Sequence, residues 1–269
     1  MKLMNIASGS SGNCSMVGTD QTTVLVDTGI SMKRIEAGLT TCGLTPRDLD
    51  GIFITHEHAD HIHGLGVISR KYNIPIYGTM GTLDGALKSG KLGTFDFNLL
   101  HGISANGTMT IGDLKITSHS ISHDAADPVC YKFEEAGDEK EKVVTVATDI
   151  GYASEDLIDF LQGADAMLIE ANHDVRMLEA GPYPFYLKQR ILGDHGHLSN
   201  EASGRMIKSL LNDHIKMIQL GHLSKENNFK ELAFETVKQE LDGNEFSNDV
   251  RDFNLCVASR LEPSDLLEF

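Results

Sequence analysis

The sequence predicts an α+β fold in which two packed β-sheets carry helices on their outer faces. Three features lead to this fold class. The first part of the chain is rich in short apolar runs bounded by Gly, Ser, Asn and Asp, the pattern of strands. The second part alternates strand-like runs with amphipathic stretches. In both parts strands end in Asp or His, and two packed sheets would gather those ends along one edge.

Composition sets the bounds. With 269 residues, 41% of them hydrophobic, a sizeable core is available. No repeat, low-complexity tract or linker divides the chain, so residues 1–269 read as one domain. The net charge of -16 opposes non-specific binding of polyanions, although a local basic groove and bound cations can offset it. Cys14, Cys42, Cys130 and Cys256 lie far apart without a C-x-x-C pair, which argues against a disulfide framework and for a reducing cytoplasm. Met1 to Ile6 run into a strand pattern without a long apolar signal segment. No apolar run approaches the roughly 18 residues of a membrane span.

In chain order, Lys2–Ala7 and Cys14–Gly18 are short strands joined by Ser8-Gly9-Ser10-Ser11-Gly12-Asn13, a hairpin with a wide tip. The tip is either a flexible turn or a loop in which Ser8, Ser10, Ser11 and Asn13 face an anionic substrate. Thr22–Asp27 is a third strand. Its Asp27 is either a solvated strand end or a carboxylate that orients a ligand histidine. Ser31 caps a helix to about Cys42 that buries Ile35 and Leu39. A buried strand at Gly51–Ile54 precedes a helix around Leu65–Tyr72, a strand at Pro75–Tyr77 and a short helix over Thr79–Lys88. Strands follow at Met109–Ile111, Leu114–Ser118, Val129–Phe133 and Val143–Ala147. Ser154 caps a helix through Leu161, and Ala166–Ile169 is a strand ending at Glu170. Pro184–Leu192 is helical, and Ser199 or Asn200 caps a helix through Leu211. Ile215–Leu220 is a strand running into His222, Phe229–Leu241 an amphipathic packing helix, and Phe253–Ala258 a last strand.

The chemistry concentrates directly after Gly51–Ile54, where Thr55 to Gly64 hold four of the 12 histidines. An extended chain alternates faces, so His56 and His58 point the same way and can share one ion. Asp60 and His61 come where the chain turns toward the next helix and can hold a second. Imidazoles and carboxylates suit zinc, with manganese and iron as neighbours. Later strand ends add His123, Asp149 and His222, and two ions need about that many ligands.

With these residues in this order, the chain resembles the metallo-β-lactamase fold of metallohydrolases, whose pattern is H-x-H-x-D-H, a later His, a bridging Asp and a final His. The resemblance implies an αββα four-layer sandwich of two mixed β-sheets flanked by helices. It implies that His56, His58 and His123 hold one metal, Asp60, His61 and His222 a second, and that Asp149 bridges them. Ser8–Asn13, Ile169–Asp174, Gly193–Glu201 and Gly221–Asn228 resemble the YycJ (WalJ) proteins, which are similar to tRNase Z and RNase J. The implied activity is 5′-to-3′ exonucleolytic cleavage of DNA, with two Zn or Mn ions sharing a bridging hydroxide and Asp60 in the catalytic set. By resemblance to tRNase Z, Glu170 and His197 form the carboxylate–imidazole pair that protonates the leaving oxygen; a carboxylate favours the charged imidazolium that a general acid must be. Ser199 and Asn200 stand where a helix N-terminus favours phosphate, alongside plain capping. RNase J-like enzymes also carry an inserted clamp domain, for which 269 residues leave no room, and the long arm of tRNase Z has no counterpart.

Other readings stay open at this level. A second enzyme reading keeps the site and changes the substrate to a small cyclic phosphodiester, a thioester or a lactone. A di-iron oxygen- or nitric-oxide-reducing role is disfavoured, because His58 stands where that branch places Glu. A third reading is a metal-stabilised interaction module without catalysis. His63, His173 and His195 are substrate contacts or hydrogen-bonded structural histidines, while His101, His119 and His214 are structural or exposed. Arg176, Lys188 and Arg190 are a small basic rim or a solvated helical face. DNA versus RNA, the native metal and the oligomeric state, a homodimer included, are not decided by these residues.

Overall fold

In the computed structural model, residues 1–94, 96–137, 142–242 and 253–269 are described. The chain opens with an antiparallel hairpin of β1 (Lys2–Ala7) and β2 (Cys14–Gly18), to which β3 (Thr23–Val26) adds antiparallel. The helix α1 (Met32–Thr41) buries Ile35 and Leu39 completely, as its spacing predicts, and each such side chain contributes about 1.5–3 kcal/mol. Then come β4 (Gly51–Phe53), the one-turn α2 (Ala59–Ile62), α3 (Leu65–Tyr72), β5 (Ile76–Thr79) and α4 (Met80–Lys88). β6 (Leu100–Ile103), β7 (Thr108–Ile111), β8 (Leu114–Ser120), β9 (Val129–Glu135) and β10 (Val143–Ala147) follow. From there helices and strands alternate: α5 (Glu155–Leu161), β11 (Ala166–Glu170), α6 (Val175–Ala180), α7 (Phe185–Leu192) and α8 (Asn200–Leu210). The last elements are β12 (Met217–Gly221), α9 (Lys230–Leu241), β13 (Asn254–Val257) and β14 (Leu267–Glu268).

Contacts divide the chain into two compact units. The first comprises Met1–Ser120, Ala125–Lys142 and Ser259–Phe269. It contains a seven-stranded sheet in the order β14-β1-β2-β3-β4-β5-β6, antiparallel up to β3 and parallel beyond it. β7, β8 and β9 form an antiparallel ladder in the same unit. Met16, Leu25, Ile52, Ile54 and Ile68 belong to its buried apolar cluster. The second unit comprises Ile121–Asp124 and Val143–Ala258. Its β10, β11, β12 and β13 are all parallel. Every residue of β11 and β12 is buried, as in a parallel strand covered on both faces, and all but Glu170, Gln219 and Gly221 are apolar side chains.

Besides the one-turn α2, three elements escape the sequence pattern. α6 is only six residues long and is held by its cap, where the Asp174 side chain accepts from Met177 N at 2.7 Å. β6 contains Gly102 and two partly exposed ends, and becomes a strand by pairing with β5. β14 is a two-residue strand that exists through its register with Lys2 and Leu3 at the other end of the sequence.

Candidate active site

In the first unit β3 and β4 are parallel neighbours, so Asp27 and the Thr55–His56 step emerge at the same edge. Asp27 is buried at a left-handed φ of 59°. Its Oδ1 accepts from Thr55 N at 2.9 Å; its Oδ2 accepts from Thr55 Oγ1 at 2.9 Å and faces His61 Nδ1 at 2.7 Å. That contact assigns the proton to Nδ1 of His61 and leaves the Nε2 lone pair for a ligand. Of the two readings of Asp27, the structure selects the carboxylate that orients a histidine. Thr55, which sequence reasoning passed over, also places its Oγ1 3.0 Å from His56 Nδ1. His56 Nε2 and His58 Nδ1 are 3.1 Å apart, and His61 Nε2 lies 3.5 Å from Asp60 Oδ2.

The Ser8–Asn13 loop is a built turn tied to these residues. Asn13 N donates to Asp60 O at 2.8 Å. The Asn13 amide nitrogen is 3.3 Å from Asp60 O, 3.4 Å from Asp60 Oδ2 and 3.0 Å from His61 Nε2. Asn13 Oδ1 accepts from Gly9 N at 3.0 Å and from Ser8 Oγ at 3.4 Å. Ser8 and Asn13 are buried, whereas Ser10 and Ser11 are exposed. Gly29 lies so close that a Cβ there would sit 1.6 Å from Asp60 O, which is why the position after Thr28 carries no side chain.

In the second unit β10, β11 and β12 are parallel, so Asp149, Glu170 and His222 leave one edge of the sheet together. Asp149 and His222 hold left-handed φ angles of 61° and 54°. A non-Gly residue in that region costs on the order of 1–3 kcal/mol and persists where the surroundings enforce it. Among the described residues, Asp27, Asp149 and His222 are three of the four such positions. Asp149 Oδ1 is 3.2 Å from His222 Nε2, 3.8 Å from His123 Nε2 and 3.7 Å from His197 Nδ1. His123 Nδ1 faces Gly196 O at 3.1 Å, which turns its Nε2 toward Asp149. Glu170 is fully buried, its Oε1 2.7 Å from His197 Nδ1 and its Oε2 accepting from Ile150 N at 2.9 Å and Leu198 N at 3.1 Å. Asp149, Glu170, His197 and His222 offer ligand atoms that all lie within 4.8 Å of one another.

These separations test whether the residues fit a cation. Two ligands bound at 2.0–2.1 Å with a tetrahedral angle stand about 3.3 Å apart. The His56–His58 pair at 3.1 Å, Asp149–His222 at 3.2 Å and Asp60–His61 at 3.5 Å bracket that value, with His123–Asp149 wider at 3.8 Å. Imidazole nitrogen and carboxylate oxygen are also the donor types that divalent zinc and manganese take.

A family profile described as "Beta-lactamase superfamily domain" matches residues 22–218. The chain belongs to the beta-lactamase superfamily. It is 46% identical over 236 residues to "Exodeoxyribonuclease WalJ" of Streptococcus pneumoniae serotype 2 (strain D39 / NCTC 7466), covering 88% of this chain and 86% of the relative. It is 40% identical over 237 residues to "Exodeoxyribonuclease YycJ" of Bacillus anthracis, covering 88% of each. Among solved structures, the metallo-beta-lactamase fold protein YhfI from Bacillus subtilis matches with a TM-score of 0.68 at 17% identity over 98% of both chains. The expected fold of two mixed β-sheets flanked by helices is the fold of this superfamily member.

The remaining predicted residues of this beta-lactamase superfamily chain have defined surroundings. Ser199 is the N-cap of α8, its Oγ accepting from Ala202 N at 3.2 Å. Asn200 is buried, and its amide pairs with that of Asn228 at 2.8 and 3.2 Å. His173 is buried and neutral, its pKa lowered to about 4 by burial, and its Nε2 has no hydrogen-bond partner. His195 Nδ1 bonds Ser122 Oγ at 2.9 Å, His214 Nδ1 bonds Asp165 Oδ1 at 3.0 Å, and His101 stacks on Tyr77 with ring centroids 5.1 Å apart. Arg190 pairs with Asp124, and Lys188 Nζ donates to Glu179 O at 2.7 Å. No helix among the described residues is long and apolar enough to cross a membrane.

Proposed function

We propose that this chain is a divalent-metal-dependent nuclease, a 5′-to-3′ exodeoxyribonuclease. The observation that carries the reading is the convergence of Asp149, Glu170, His197 and His222, with the buried Glu170 carboxylate 2.7 Å from the His197 ring. Identity to relatives named exodeoxyribonucleases supports DNA as the substrate. By the ligand order of the sequence, His56, His58 and His123 would hold one ion and Asp60, His61 and His222 a second, with Asp149 serving both. Divalent zinc or manganese held by this donor set would supply a water of lowered pKa and polarisation of the phosphoryl oxygen.

The chain's own residues do the rest. Glu170 is clamped by two backbone N–H groups and cannot swing away from His197. It keeps a proton on Nδ1, so the imidazolium hands its Nε2 proton to the leaving oxygen as the bond breaks. Asp27 and Thr55 hold His61 and His56 in the tautomers a ligand needs. Asp60 is fixed by Asn13 from the neighbouring loop. Ser10 and Ser11 present hydroxyls to the strand, Ser8 and Asn13 brace that loop, and Ser199 and Asn200 set the N-terminus of α8 toward a phosphate. Residues 1–269 act as one domain, a reading that the superfamily match across 22–218 favours, and the bacterial exodeoxyribonuclease relatives favour a cytoplasmic place.

The test offers the metal-loaded protein 5′-phosphorylated single-stranded DNA beside a thioester. Stepwise release of mononucleotides is the expected result, abolished by Asp149→Ala. Thioester turnover without mononucleotide release rejects the proposal. A gel-filtration run on the same sample separates a homodimer from a monomer.

A further inference from the structure

We propose that the first unit carries a pocket for the 5′-terminal phosphate of the substrate strand, with Arg34 as its cation. The substrate identity rests on the exonuclease reading; the phosphate binding itself has a readout of its own.

A cavity of about 490 Å³ opens beside Asp60 at the start of α1, a size suited to a nucleotide-sized group. Ser10, Ser11, Ser31, Arg34 and His63 line it together with Asp60. Ser10 and Ser11 are exposed, and Ser31, although the N-cap of α1, makes no side-chain capping bond. Three hydroxyls therefore face the cavity with their donors uncommitted to a helix. Arg34 is held from behind: its Nη2 donates to Arg260 O at 2.7 Å and Leu261 O at 3.3 Å. Both partners are neutral carbonyls, and no carboxylate pairs with Arg34 among the described residues. The guanidinium is thus immobilised with its charge intact and further N–H donors available.

A second cation stands at the same loop. A Cβ at Gly9 would lie 2.8 Å from Arg260 Cγ, so the Arg260 side chain packs directly over the turn that carries Ser10 and Ser11. In a chain of net charge -16, the cavity is lined by one arginine and three hydroxyls beside Asp60, and Arg260 packs on the adjoining turn at Gly9. A planar guanidinium with converging hydroxyls matches the oxygens of a phosphate, and a charged phosphomonoester is a stronger acceptor than a neutral hydroxyl end. Asp60 on the cavity wall sets the pocket next to the proposed second ion. An anchor for the terminal phosphate there would measure one nucleotide from the strand's end.

The first measurement is calorimetric binding of thymidine 5′-monophosphate and of thymidine to the full-length, metal-loaded protein and to Arg34→Gln. Loss of a charge-assisted bond to phosphate predicts an affinity for the monophosphate about tenfold or more weaker, with thymidine unaffected. The second is the ratio of kcat/KM on 5′-phosphorylated over 5′-hydroxyl DNA, which should collapse toward one in Arg34→Gln. A double variant, Ser10→Ala with Ser11→Ala, touches only exposed side chains and should weaken monophosphate binding several-fold even if Arg34→Gln fails to fold. Monophosphate affinity within twofold of wild type in the folded variants overturns the pocket. Weakened monophosphate binding in a protein that degrades no DNA keeps the phosphate site and rejects the exonuclease reading instead.

Discussion

Replacing Asp27 by Asn changes one atom of a buried side chain and should disable a residue 34 positions away. Asn accepts the left-handed backbone at this site, where φ is 59°, so the turn survives. The carboxylate Oδ2 now faces two donors, Thr55 Oγ1 at 2.9 Å and His61 Nδ1 at 2.7 Å. An amide nitrogen in that place donates to Nδ1 and drives the ring proton to Nε2, the nitrogen that faces Asp60 and would ligate the ion. Losing such an orienting carboxylate typically lowers metal affinity about 10–100-fold, or about 1.4–2.7 kcal/mol. Competition with a fluorescent chelator measures the affinity, and the far-ultraviolet spectrum checks that the sheet is intact. Asp27→Asn with wild-type affinity for its weaker-bound ion would refute the claim that Asp27 sets the His61 tautomer.

Three further outcomes follow from the same geometry. Glu170→Gln keeps an acceptor for Ile150 N and Leu198 N but loses the charge facing His197, so kcat should fall on the order of 10²-fold while metal content stays constant. Equal kcat, or loss of metal, would remove the proton-delivery role. The pKa of His173 is lowered from its ordinary 6.5 to about 4 by burial, so the unfolded chain takes up the proton first as pH falls. Its contribution to stability is present above pH 6.5 and is lost toward pH 4, about 2 kcal/mol between pH 7 and 5. His173→Gln should flatten the pH dependence of urea unfolding by that amount, and parallel curves would contradict it. In Gly29→Ala the new methyl would lie 1.6 Å from Asp60 O, a backbone atom that cannot move aside, so unfolding free energy should drop by at least about 3 kcal/mol. Unchanged urea midpoints would show that the two loops are not tightly apposed.

The sequence alone located the candidate residues along the chain and the strands that carry them. His56, His58, Asp60 and His61 follow a short buried strand, and Asp149, Glu170 and His222 each stand at the end of another, because apolar periodicity and turn residues are local signals. Parallel neighbours β10, β11 and β12 then put their ends at one edge, as strand geometry requires. Tertiary structure decided what local pattern leaves degenerate. Asp27 read equally well as a solvated strand end until its Oδ2 was placed 2.7 Å from His61 Nδ1. The Ser8–Asn13 tip read equally well as a flexible turn until Asn13 was found holding Asp60 and His61 from 47 and 48 residues away. Asn200 read as a helix-terminal polar group, yet its amide is buried against Asn228. The left-handed backbones of Asp27, Asp149 and His222 fall on residue types that tolerate that region, but residue type does not say which Asp or His adopts it, since strain of this kind is imposed by packing around the site. Residue chemistry and periodicity act over a few positions of the chain, whereas hydrogen-bond partners and enforced backbone angles depend on which distant segments the fold brings together.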